Sequence, residues 1–160
     1  MKIKCRAWDA EVEEFVYSDQ DNDDVWFEFK DGTLKAFALH GMDAGSIDEP
    51  PQPICDELEP PEMFIGWYDK DGKEMFVGDI TEIQAEDGKL NRFVIRFGVA
   101  RRWMGTGWLV DIPSFYFDLI GGDFKAFPIV ENYKGVHDLI MMKIIGNVYE
   151  HSDLQYRKGV

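Results

Sequence analysis

"DKDGKEMFVGDI", residues Asp69 to Ile80, sets three aspartates, two lysines and two glycines around a short apolar run. It is either a loop that holds a metal or a phosphate, or a loop that turns the chain between antiparallel strands. A calcium EF-hand loop needs oxygen ligands at its first, third and fifth positions, glycine at the sixth and an acid at the twelfth. Counted from Asp69, the fifth position is Lys73 and the sixth is Glu74, so the pattern fails. A phosphate cradle needs more glycines and a following helix, whereas "KEMFVGDI" continues as extended chain. The stretch is therefore a turn. Asp71-Gly72 reverses the chain, and Gly78 provides a bend before Asp79, whose carboxylate accepts nearby backbone N–H groups.

Outward from this turn, alternation with period two recurs, which is the strand signal. "DVWFEFK" puts Val25, Phe27 and Phe29 on one face. "NRFVIRF" puts Phe93, Ile95 and Phe97 on one face and Arg92 and Arg96 on the other. "SFYFDL" aligns Phe115, Phe117 and Leu119. Asp31-Gly32, Asp71-Gly72, Asp87-Gly88 and Gly121-Gly122 punctuate these runs, and such pairs tolerate the positive φ of tight hairpins. The expected fold is mainly β, an antiparallel meander with little helix. "EPPQPICDELEPPEM" (Glu49–Met63) carries five of the seven prolines. It is expected to be an exposed connector, with one short turn over Cys55–Leu58, because proline breaks both helices and central strands. The apolar run near residues 139–145 is expected to be a buried strand.

A chain of 160 residues is expected to form a single domain and to bury a core without a disulfide or metal. Cys5 and Cys55 form no C-x-x-C pair and read as reduced thiols. The first residues carry charges where a signal peptide carries its apolar segment, and no apolar run approaches the roughly 20 residues of a membrane span. The net charge is −14, which disfavours non-specific binding to nucleic acid. The charge is uneven: residues 1–64 hold 17 acids and 5 bases, a net −12. Lys89 to Val110, by contrast, holds five bases and no acid.

That basic island interleaves Arg92, Arg96, Arg101 and Arg102 with Trp103 and Trp108. Together they are the candidate interaction surface. Interleaved rings and cations bind single-stranded nucleic acid by stacking and phosphate contact. The simpler reading turns the alternating rings to the core and the arginines to acids of this chain or of a neighbouring copy. No catalytic set, cofactor site or metal site is expected. His40, His137 and His151 lie far apart and none has a second histidine at metal-ligand spacing. No G-x-S-x-G occurs, and a pair of carboxylates among 31 acids carries almost no information.

Three stretches together carry a resemblance. "IKCRAWDAEVEEFVY" resembles an I-K-F-R-A-W-D opening followed by a strand. "FIGWYDKDGKEMFVGDI" is similar to F-T-G-L-x-D-x-x-G-K-x-I-Y-x-G-D-I, and "IIGNVYEHSDL" to V-I-G-N-I-Y-E-N-P-E-L. Their order is that of the YopX-like family of phage and prophage proteins. The departures, Ile65 for Thr, Trp67 for Leu and His151-Ser152 for Asn-Pro, are mild. The resemblance implies a phage-encoded, mainly β protein of the bacterial host cytoplasm, and it transfers no catalytic residue. By analogy, the F-x-G-D-I stretch resembles the entry to a small SH3-like barrel, placed at about residues 64–154 after the connector at about 49–63. The motif residues read as structural: Trp8 as a core anchor, Gly66, Gly72 and Gly78 as backbone devices, and Asp79 as a backbone acceptor. Gly146-Asn147 reads as a left-handed turn pair before a Tyr149 anchor.

The function expected is that of an accessory protein acting through contacts with a host or phage protein and with copies of itself, in the cytoplasm and away from membranes. The alternatives are nucleic-acid binding through residues 89–108 and mimicry of nucleic acid by the acidic first 64 residues.

Overall fold

The structure, a computed structural model, describes residues 3–85, 87–105, 107–126 and 141–155; the side chains of residues 100, 102–104 and 155 are outside that description. The chain is mainly β, its sheets are antiparallel, and one sheet curls into a half-barrel. It divides into two compact units, Met1–Met63 and Phe64–Val160.

The first unit is a set of hairpins. Strands β1 (Cys5–Asp9) and β2 (Glu14–Tyr17) pair from Arg6↔Tyr17 to Asp9↔Glu14. Strands β3 (Val25–Lys30), β4 (Thr33–Met42) and β5 (Pro53–Glu57) form a three-stranded sheet in that order. The β3–β4 turn has Asp31 at φ 53° and Gly32 at φ 78°. Two positive φ angles in a two-residue loop match the twist of the flanking strands, so the Asp-Gly reading holds. The buried cluster is small: Ala7, Ala36, Ala38 and Leu58, with Val16, Val25 and Phe27 half-buried against it. Phe29, expected beside Phe27, is largely exposed because it stands at the strand's end next to the turn.

Two contacts reinforce this slender core. Arg6 donates from Nε and Nη2 to Glu62 Oε2 at 2.9 and 2.7 Å, and both residues are buried. Its guanidinium also lies over the Phe15 ring, 3.9 Å from the centroid. Trp8 is buried and meets Phe15 edge-on at 5.0 Å, as its anchor role required. The proline-rich connector differs from expectation. Cys55–Glu57 is extended rather than turned, and it forms the exposed edge strand β5. Proline is tolerated at an edge because no partner needs its missing N–H. Leu58 then enters the core.

Strand β6 (Glu62–Tyr68) begins in the first unit, where Glu62 pairs with Arg6 of β1, and continues into the second. There it pairs with β7 (Glu74–Phe76), with an irregularity between Phe64 and Tyr68 that contains Gly66 at φ 86°. The main sheet of the second unit has the order β11-β10-β9-β8-β12. Its strands are β8 (Asp79–Gln84), β9 (Leu90–Met104), β10 (Trp108–Leu119), β11 (Lys125–Ala126) and β12 (Lys143–Asn147). A single short helix, α1 (Ser152–Gln155), is found among the described residues. The core is larger here: Ile65, Met75, Phe93, Ile95, Phe117, Met142 and Ile144. Each such side chain contributes about 1.5–3 kcal/mol on burial.

The opening stretch is a turn built by its own aspartates. Asp69 is buried, and its Oδ1 accepts the N–H groups of Asp71 and Lys73, both at 2.9 Å. Its Oδ2 accepts Ile144 N–H of β12 at 3.1 Å. Asp79 accepts Phe76 N–H at 2.8 Å, as read from the sequence. Gly78, at φ 88°, donates to Ile95 O and accepts from Val148 N–H. Residues 143–147 form the expected strand; the rest of that apolar run up to residue 140 lies outside the described residues. Gly146 corrects the sequence reading. It belongs to β12, after a register shift, and does not hold the left-handed turn expected of it. A Cβ there would stand 2.6 Å from His151 Nδ1, so the glycine makes room for a ring. Asn147 caps the following turn through Oδ1, which accepts Tyr149 and Glu150 N–H, both at 2.9 Å. Tyr149 is half-buried behind it.

Candidate interaction ribbon

Strands β9 and β10 pair over twelve positions, from Phe93↔Leu119 to Met104↔Trp108. The root of this hairpin belongs to the core, where Phe93, Ile95 and Phe117 are buried. Strand alternation carries the same face outward through Phe97↔Phe115 and Val99↔Pro113. Among the described residues nothing covers that extension: Phe97 is 57 % and Val99 64 % exposed. The rings of Phe97 and Phe115 touch at 5.1 Å. At the tip, Trp108 is 72 % exposed and Leu109 51 %. A two-stranded ribbon has no third layer, so it buries neither face by itself.

The candidate residues are now placed. Arg92 donates to Glu82 Oε2 of β8 at 2.8 Å. Arg101 forms a two-pronged pair with Asp111 across the ribbon, at 2.8 and 3.2 Å. The Asp111 partner raises the Arg101 pKa, and Arg101 holds the Asp111 carboxyl below its usual range. Arg96 is exposed opposite Tyr116, and Lys125 of β11 lies over the Tyr116 ring at 5.0 Å. Arg102 and Trp103 stand opposite Val110 and Leu109 in register; their side chains lie outside the described set. The ribbon thus brings the candidates onto one hairpin, but two of its arginines are engaged with acids of the same sheet. At its root, an open cleft of about 320 Å³ is lined by Leu90, Arg92, Leu119 and Leu154. It gathers no converging set of titratable groups.

Sequence reasoning passed over a second constellation, in the first unit. His40 lies at the register shift of β4, between the pairs Leu39↔Cys55 and Gly41↔Ile54. Its Nε2 is 2.8 Å from Asp9 Oδ2. Its Nδ1 is 2.6 Å from Glu11 Oε2 and 2.9 Å from Asp56 Oδ2. Hydrogen bonds to Asp9 and Asp56 push the imidazole pKa up to about 9. Burial pushes the Asp9 carboxyl up, but the bond from His40 and the backbone N–H groups of Glu11 and Val12 outweigh it and hold Asp9 below its ordinary range. The signal was invisible in sequence because the four residues come from three separate segments.

No helix among the described residues is long and apolar enough to cross a membrane. The profile of a family described as YopX protein matches residues 4–155. No curated protein matches the chain in sequence. The crystal structure of protein EF1440 from Enterococcus faecalis is similar in fold, with a TM-score of 0.50 and 18 % identity. The similarity covers 97 % of this chain and 99 % of that one.

Proposed function

The chain belongs to the YopX family, and from that premise we propose that it is a phage-encoded accessory protein of the host cytoplasm, working through protein contacts made by the β9–β10 ribbon. The first partner is a second copy of this chain, and the second is a host or phage protein. The observation that carries this reading is the uncovered apolar face of Phe97 and Val99, continuous with the core and bounded outward by the Arg101–Asp111 pair. Apolar residues of this kind, framed by charge, mark protein-binding surfaces. Paired copies of the ribbon would cover both edges and faces at once.

Light scattering on the full chain tests it. The wild type is expected to assemble, and the double variant Val99→Lys, Trp108→Ser to run as a monomer with an unchanged melting temperature, since both side chains are exposed. Because the contact is apolar, 1 M salt, where the Debye length is about 3 Å, leaves the assembly intact. A wild-type monomer at every salt and at high protein concentration overturns the reading.

Nucleic-acid binding through the same ribbon is the weaker reading, since Arg92 and Arg101 are already engaged with Glu82 and Asp111. Flat anisotropy titrations at low salt with single-stranded and duplex ligands would exclude it. Mimicry of nucleic acid fares worse. Asp9, Asp19, Glu57 and Glu62 in the acidic first unit are paired with His40, Lys4, Lys35 and Arg6, and so are not free to line up as phosphates do.

A further inference from the structure

We propose that Glu11, His40 and Asp56 form a binding site for a divalent first-row transition metal ion, with zinc the ion that its donors suit best. The site is independent of the ribbon.

Three donors from three segments converge. Glu11 follows β1, His40 is on β4 and Asp56 on β5, and one ligand atom of each lies within 4.8 Å of the others. An ion bonded at about 2.0–2.2 Å to nitrogen and carboxylate oxygen reaches all three after small outward rotations. The Glu11 and Asp56 side chains are 62 % and 54 % exposed, so they are free to make them. The register shift in β4 matters here. It leaves His40 as the extra residue of the strand, and such bulges re-aim a side chain.

A second observation concerns the far side of the ring. The Asp9 side chain is only 5 % exposed. It is held by Glu11 N–H, which donates to Oδ1 at 3.0 Å, while its Oδ2 faces His40 Nε2 at 2.8 Å. A buried carboxylate behind an imidazole is the arrangement that supports metal-bound histidines. It fixes the tautomer with the proton on the far nitrogen and turns the other lone pair to the ion. Here that lone pair belongs to Nδ1, the nitrogen facing Glu11 and Asp56.

A count of donors and acceptors points the same way. An imidazole offers at most two N–H groups, whereas three carboxylates converge on this ring. At Nδ1 one proton would stand between two carboxylate oxygens at 2.6 and 2.9 Å, and it satisfies one of them well. Even a protonated ring leaves the group of four residues with two uncompensated negative charges. A divalent cation in place of the Nδ1 proton lowers that excess to one negative charge and bonds all three donors. One nitrogen with two oxygens favours zinc, manganese or cobalt over calcium and magnesium, which prefer oxygen alone. Three protein donors leave at least one position for water or another ligand. By holding the β1–β2 turn to β4 and β5, the ion would staple a unit whose apolar core is small.

The test is calorimetric titration of chelator-treated full-length protein with Zn²⁺ at neutral pH, paired with nitrogen-15 spectra of the histidine rings. Expected are one Zn²⁺ per chain and a shift of the His40 Nδ1 resonance, while His137 and His151 stay unmoved. Glu11→Gln and Asp56→Asn should each weaken binding by about tenfold or more, and Asp9→Asn by about 10–100-fold. Glu11 and Asp56 are exposed, so those variants fold as the wild type does, which circular dichroism checks. Mg²⁺ at the same concentration should give no saturable heat. The proposal is overturned by an absence of saturable Zn²⁺ binding. It is also overturned by unchanged affinity in the Glu11→Gln, Asp56→Asn double variant, or by shifts confined to the other two histidines.

Discussion

Asp69 engages both of its carboxylate oxygens with backbone N–H groups, two in its own turn and one on β12. Asn in its place keeps the Oδ1 contacts but sets an amide N–H against Ile144 N–H. Asp69→Asn is therefore expected to cost about 1–3 kcal/mol, read from urea midpoints at neutral pH. Burial pushes the Asp69 carboxyl up, but the N–H groups of Ile144, Lys73 and Asp71 outweigh it, and its folded pKa lies below the ordinary 3.8. The unfolded chain thus binds the proton more readily. Asp69 contributes its full share above the unfolded value, and that share is lost as the pH falls below 3.8 towards the folded value. Across an acid series of midpoints, the Asp69→Asn variant should lose less stability than the wild type. Gly146→Ala meets His151 at 2.6 Å and is expected to cost about 1–3 kcal/mol. The companion change His151→Ala should restore most of it, which a double-mutant cycle measures. At this scale the sequence told that Asp71-Gly72 turns the chain and that Asp79 serves the backbone, because both are local chemistry. It could not tell Gly146 or His40, whose roles depend on rings and carboxylates brought in from other segments.

At the scale of elements, alternation and Asp-Gly turns made β3, β9 and β10 legible. The ribbon itself was not. The sequence between its paired ends Met104 and Trp108 lacks the Asp-Gly signature, and β9 runs 15 residues, beyond the usual 3–10. Two adjacent arginines, Arg101 and Arg102, also break its alternation, so the basic island read as one patch instead of two paired strands. The edge strand β5 was hidden for the opposite reason, since its prolines argued against a central strand and an exposed connector was the expectation. Because none of the described side chains of residues 98–114 is buried in the core, replacing residues 98–114 with a two-residue Asn-Gly turn, which keeps Phe97 opposite Phe115, should leave the melting temperature of the protein unchanged within error. The same replacement should abolish assembly in light scattering. A protein that unfolds on this excision would show that the ribbon is structural and not a contact surface.

The whole molecule joins two units of unequal interior. The resemblance in three motifs foresaw the family that the profile confirms over residues 4–155, and the proline-rich stretch at about 49–63 ends where the chain divides, at Met63. The buried cluster of the first unit is three alanines and one leucine, with Cys5 and Trp8 buried outside it, whereas that of the second is two phenylalanines, two methionines and three isoleucines. Alanine carries little apolar area, so the first unit gains far less per buried residue. The consequence is a difference in breathing. Backbone amides of β3 and β4 should open to solvent through a low-energy local fluctuation, while those of β8 and the β9 root wait for global unfolding. In native-state hydrogen exchange followed by mass spectrometry, peptides covering residues 25–42 should take up deuterium well before those covering residues 79–95.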